Sequence, residues 1–119
     1  MHLVFVYGTL KKGYRNYKYF LDQLEPIKAE LEGFTLHAGP YFPFAKRSKG
    51  KEIIKGEIYQ INDEKLKQLD MLEGVPHHYQ RVICYPQVKG KAKGDEPECW
   101  IYISDIAAKY PIIKNGEWK

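Results

Sequence analysis

Four consecutive apolar residues, Leu3, Val4, Phe5 and Val6, lead directly into the glycine-punctuated stretch YGTLKKG, which ends at Gly13. An apolar run without alternation marks a strand covered on both faces, so the chain must supply a layer above it and another below. Gly8 and Gly13 then end the strand in a turn. There the backbone N–H groups of Gly8, Thr9 and Leu10 lose their strand partners and can converge on an anion. A helix expected over residues 14–24 would add the positive end of its dipole. The alternative is an ordinary strand-to-helix turn in which Gly8 only relieves backbone strain. The spacing of Gly8 and Gly13 echoes a phosphate-binding loop. Tyr14 and Arg15 stand where such a loop has lysine and a hydroxyl residue, which removes the nucleotide reading.

A chain of 119 residues is expected to form one domain, residues 1–119, burying about two thirds of its unfolded surface around a single core. No stretch approaches membrane length, and Met1 to Tyr7 is neither basic nor long enough for a secretion signal. The expectation is a soluble cytoplasmic protein with no membrane partner. The net charge of +4 comes from dispersed lysines. They are denser only at residues 46–55 and 89–93, which read as solvated loops rather than a nucleic-acid surface. Cys84 and Cys99 lie in separate expected strands without Cys-x-x-Cys spacing, so they read as small buried residues, with a cross-strand disulfide left open.

Further along, Tyr17, Phe20, Leu21 and Leu24 recur at helical spacing before Pro26. Residues 27–38 read as a strand with one wet face. GPYFP at residues 39–43 reads as a tight loop, and residues 52–61 as a strand in which Gly56 marks a bulge or a close backbone approach. Asn62 caps a helix over residues 63–73, stopped by Gly74. At about 100° per residue, Glu73 projects roughly 20° from Leu66 and 40° from Leu69, inside the apolar arc completed by Leu72. Burial and the negative end of the helix dipole both raise the pKa of a carboxyl placed there, which suits it to accept a proton near neutrality. The same position also allows Glu73 to curl into solvent or to pair with Arg81. Residues 79–88 read as one strand, residues 89–97 as a polar hairpin loop, and residues 98–104 as the last strand. A short helical turn over residues 105–110 follows, with a tail docked through Ile112, Ile113 and Trp118. His77 and His78 are adjacent and diverge, with no metal-ligand spacing. There is no standard protein nucleophile motif, so any chemistry must proceed without one.

Taken together, VYGTLKKG with Asn16, then KGEIYQI, LDMLEGVPHHYQR, CWIYI and NGEW resemble the gamma-glutamylcyclotransferase-like family, closest to its small gamma-glutamylamine cyclotransferase branch. The resemblance spans nearly the whole chain. It implies a mixed α+β fold, a small β-barrel of mixed strands flanked by short helices, with a cavity between the turn and the helix that carries the glutamate. It also implies that Tyr7, Gly8, Thr9 and Leu10 form the substrate-binding turn and that Glu73 is the catalytic acid/base. Tyr79 then lines the cavity, Arg81 holds Glu73 or the loop that bears it, and both count among the substrate-binding residues. The implied reaction closes 5-oxoproline by attack of a γ-glutamyl α-amine on its own γ-carbonyl, with release of an amine. The substrate brings its own nucleophile, and no metal or organic cofactor is required. Residues 39–48 and 89–97 are expected to read the leaving amine. Two other readings remain: a non-catalytic module binding a small γ-glutamyl or acidic metabolite, and, from the charge, a nucleic-acid binder. Nothing in the pattern specifies an oligomeric state.

Overall fold

The structure is a computed structural model and describes residues 1–119. The apolar run forms strand β1 (His2–Val6), which lies inside a six-stranded sheet. Strand β2 (Ile27–Glu32) is followed by β3 (Phe34–Ala38), β4 (Pro43–Arg47) and β5 (Ile53–Ile61). Strands β6 (Gln80–Cys84), β7 (Gln87–Val88) and β8 (Cys99–Ile103) complete the set, with helices α1 (Tyr17–Phe20) and α2 (Asp63–Glu73) between. The main sheet runs β6-β8-β1-β5-β2-β7, while β3 and β4 form a separate antiparallel ribbon. The single parallel pairing is β1 with β8; every other neighbour is antiparallel. Alternation along each strand then separates two apolar clusters. Phe5, Ile54, Ile58 and Ile101 belong to one, and Val4, Val6, Tyr59 and Tyr102 join Leu66 and Leu69 of α2 in the other.

The mixed α+β architecture is present, but the expected barrel is not closed by hydrogen bonds. Its two edge strands, β6 and β7, are consecutive in the chain, joined only by Tyr85 and Pro86. Six flat strands would separate those edges by about 24 Å. A link of three Cα–Cα steps reaches at most about 11 Å. The sheet must therefore curl until its edges approach, and the covalent chain crosses the seam with Pro86 fully buried.

Several elements depart from expectation for local reasons. Residues 27–38 break at Gly33, whose φ of 89° turns the chain out of the main sheet and into the ribbon. Ile27 is 51% exposed, while Ala29 and Leu31 are buried. The span 79–88 splits at Pro86, which has no N–H for a ladder. Residues 89–97 do not close a hairpin, since they cross from β7 at one edge to β8 beside the other. Strand β4 was hidden behind the turn formers that precede it. Residues 14–24 contain only the one-turn helix α1, although Leu21 is still fully buried.

The tail is tied down by Ile113 N donating to Leu36 O at 2.7 Å and Lys55 N donating to Gly116 O at 2.7 Å. Ile113 and Trp118 pack on the inner cluster, whereas Ile112 is half exposed. Cys84 and Cys99 are direct cross-strand neighbours, both buried and both free thiols.

Gly56 sits in unbroken register with Ala29, so it marks no bulge. A Cβ there would fall on the Val6 carbonyl oxygen and 2.6 Å from Phe5 Cζ. Both are fixed in the sheet core. Gly56→Ala is expected to cost about 1–3 kcal/mol, the range for overpacking a well-packed core. Urea unfolding that shows a loss below about 0.5 kcal/mol would mean that β1 and β5 are not packed this closely.

Candidate active site

Helix α2 is built to end at a defined place. Asn62 Oδ1 accepts from Lys65 N at 2.8 Å, Asp63 and Glu64 occupy the first turn, and Gly74 closes the helix in the left-handed region with φ 68°. Leu66 and Leu69 anchor its inner face; Leu72 is 38% exposed and borders a cavity. The apolar arc around Glu73 is thus held by two leucines and opens at the third. Glu73 is half-buried there, and burial raises its carboxyl to a pKa of about 7. No cation pairs with it.

Arg81 has another partner. Its Nε donates to Asp70 Oδ1 at 2.8 Å, and its guanidinium lies 4.1 Å from the centre of the Trp100 ring. Tyr102 Oη donates to the same Asp70 oxygen at 2.8 Å. Asp70 precedes Glu73 by nearly one helical turn, so this partly buried cluster pins the end of α2 to β6 and β8. Arg81 does not line the cavity, which corrects its expected contact with substrate. Its charge is spent on Asp70.

The cavity, about 420 Å³, falls in the range of small-molecule sites. Tyr7, Gly8, Thr9, Leu10, Glu73 and Tyr79 all line it, so six of the seven expected residues share one wall system. Strand β1 delivers the first four because β5 and β8 hold it on both sides. Beyond it, the turn is shaped by Lys11 N donating to Gly8 O at 3.0 Å and Asn16 N donating to Thr9 O at 2.9 Å. Asn16 Nδ2 donates to Thr9 Oγ1 at 2.8 Å, and Lys12 N to Glu57 Oε1 at 2.7 Å. The amides of Gly8, Thr9 and Leu10 donate to no protein acceptor. They border the cavity as free donors. Helix α1 is a single turn that begins beyond Asn16, so the expected dipole contribution at this turn is absent. A Cβ on Gly8 would come within 2.8 Å of Pro43 Cγ, which explains glycine at the point where the opposite wall leans in.

The two wall tyrosines are committed to backbone. Tyr7 Oη donates to Tyr102 O at 2.6 Å and Tyr79 Oη to Pro43 O at 3.1 Å. Burial, with the nearby Glu73 charge as a smaller cause, pushes both phenols far above their ordinary range, so both stay neutral. Sequence reasoning missed Arg15, Asn16, His78 and Tyr102 as lining residues, while Phe42 and Pro43 come from the 39–48 segment expected to read the leaving amine. The position of Arg15 and Asn16 just beyond the glycine turn was the available signal. The loop 89–97 does not line this cavity.

A second depression, about 610 Å³, is larger but self-neutralised. Its Lys28 and Lys55 stand in cross-strand register with Glu57 and Glu30. Its buried Lys11 donates to Trp118 O at 2.7 Å.

Comparison with known proteins agrees with this fold. The family model described as gamma-glutamyl cyclotransferase, AIG2-like, matches residues 4–119. The chain is 35% identical over 112 residues to the gamma-glutamylaminecyclotransferase of Rattus norvegicus, covering 83% of this chain and 75% of the relative. The Mus musculus protein of the same name is 36% identical over 112 residues, with the same coverage of 83% and 75%. The crystal structure of an AIG2-like protein from Mus musculus superposes with a TM-score of 0.81 at 30% identity, covering 100% of this chain and 88% of that one.

The buried carboxyl makes a prediction about stability. With its pKa raised from 4.5 to about 7 in the folded state, Glu73 holds a proton that the unfolded chain releases across that interval. Folding stability therefore falls as pH rises from about 4.5 to 7. Glu73→Gln removes that loss: the variant should match wild type near pH 4 and exceed it by about 1–2 kcal/mol at pH 8, allowing for partial exposure. Denaturation of both proteins at the two pH values checks this. A variant less stable than wild type at pH 8 would mean that the carboxylate is paired rather than desolvated.

Proposed function

The chain belongs to the gamma-glutamyl cyclotransferase, AIG2-like family, and on that premise we propose that it cyclises an L-γ-glutamyl amine to 5-oxoproline and releases the free amine. The observation that carries this reading is a single cavity bordered by both a carboxyl raised to about 7 and the free amides of Gly8, Thr9 and Leu10.

The reaction needs few parts from the protein. The substrate α-ammonium gives a proton to Glu73, and the freed amine attacks the γ-carbonyl carbon five atoms round the ring being closed. The new C–N bond turns the carbonyl into an oxyanion. Free backbone donors at the turn stabilise that charge and anchor the α-carboxylate. The bond to the leaving nitrogen then breaks, and two protons in all pass from the attacking to the leaving nitrogen, with Glu73 as the carrier. A base near pKa 7 both accepts and returns protons efficiently at neutral pH. The neutral walls of Tyr7 and Tyr79 keep the substrate in a bent, near-attack pose, which supplies several kcal/mol of the barrier. Asp70, Arg81 and Tyr102 act as positioning residues through helix α2. A cytoplasmic setting goes with this reading.

Release of 5-oxoproline from a panel of γ-glutamyl amino acids, γ-glutamyl-ε-lysine and glutathione tests the proposal. Wild-type kcat should rise with pH through one ionisation near 7. Glu73→Gln should lower kcat by about 10²–10⁴-fold. Its affinity for 5-oxoproline should survive. Binding of γ-glutamyl amines without product would instead make the cavity a binding module, and full activity in Glu73→Gln would remove Glu73 from the role.

A further inference from the structure

The cavity has a floor and a rim of different chemistry. Phe5, Val6, Tyr7, Leu10 and Tyr102 are buried at its floor, while Arg15, Phe42, Leu72 and His78 are the exposed members of its lining. If the free amides and Glu73 engage the glutamyl group, the released amine lies toward the exposed rim. At that rim Arg15 is the one permanent charge. It makes no ion pair and no side-chain hydrogen bond with the protein, unlike Arg81, which is fully engaged with Asp70. The only carboxyl in the lining is Glu73, whose raised pKa leaves it partly neutral at pH 7. His78 adds no negative charge.

From this juxtaposition we propose that Arg15 is a specificity-determining residue that binds a carboxylate on the leaving amine, so that this protein favours γ-glutamyl amines with a free carboxylate beyond the scissile amide over those without one. The guanidinium fork matches a carboxylate in two parallel hydrogen bonds. The same charge disfavours leaving amines that carry extra ammonium groups, such as polyamines. Phe42 and Leu72 accept the apolar part of the leaving group. This inference rests on the cyclisation reading above, but it concerns a different part of the cavity.

The decisive comparison is γ-glutamyl-alanine against γ-glutamyl-ethylamine, which differ only by the carboxylate of the leaving amine. Wild type should favour the alanine compound by about fivefold in kcat/KM, the size expected of an exposed charge pair. The preference should reside in KM and shrink in high salt. Arg15→Gln should bring the ratio close to one while leaving turnover of the ethylamine compound unchanged, and Arg15→Lys should restore part of the preference. An equal loss for both compounds in Arg15→Gln would place Arg15 on the glutamyl half and overturn the proposal, as would an unaltered ratio. Calorimetric binding of the two compounds to Glu73→Gln, with and without Arg15→Gln, reads the same preference without turnover. Lack of any carboxylate preference there overturns the proposal even if 5-oxoproline is never formed, whereas preference without product overturns only the cyclisation reading.

Discussion

Holding a carboxyl at the edge of an apolar cavity is unfavourable, and no cation offsets the cost at Glu73. The side chain would relax into water if the end of helix α2 were free to fray. It is kept in place from three directions. Leu66 and Leu69 bury the inner face of the helix, Gly74 terminates it in one defined conformation, and Asp70 is gripped by Arg81 and Tyr102. Strain at one residue is thus sustained by good contacts at its neighbours, the usual relation between a functional group and its scaffold. The placement of the cation matters as much as its presence. Had Arg81 reached Glu73 itself, the carboxyl would have been driven below its ordinary range and would be a poor proton acceptor at neutral pH.

The opposite wall depends on strand β1. Its pairing with β5 on one side and β8 on the other fixes Tyr7 at the rim of the sheet, and the chain leaves the ladder immediately afterwards with its amides unspent. Asn16 and Glu57 then hold the turn from behind through Thr9 and Lys12. Donors that are fixed before a ligand arrives need no reorganisation when charge develops. The two walls come from distant parts of the chain, and only the sheet relates them.

Periodicity was enough to find Glu73, because a helix capped by Asn62 and stopped by Gly74 has an unambiguous face. The turn was legible for a similar reason: an apolar run meeting glycine has few ways to continue. What sequence could not settle was partnership. Arg81 lies within reach of two carboxylates on α2, and choosing Asp70 over Glu73 depends on the angle between helix and sheet. Arg15, two residues past Gly13, is marked only by its place just beyond the glycine turn, and in type it is like any exposed arginine. Topology was also hidden at β6 and β7. That span read as one strand across Pro86, and nothing in the sequence showed that its two halves would lie at opposite edges. The barrel implied by family resemblance is therefore a curled sheet whose seam is covalent.

That seam has a consequence for how the molecule meets other chains. An open sheet offers two rows of unpaired backbone donors and acceptors, and long exposed edges are templates for strand addition. Here one edge is a strand of only two residues, and the chain that links it to the other edge runs across the gap. An incoming strand would find little ladder to extend and a buried proline across its path. The crossing that shapes the cavity's sheet also leaves that edge a poor template for fibrillar growth.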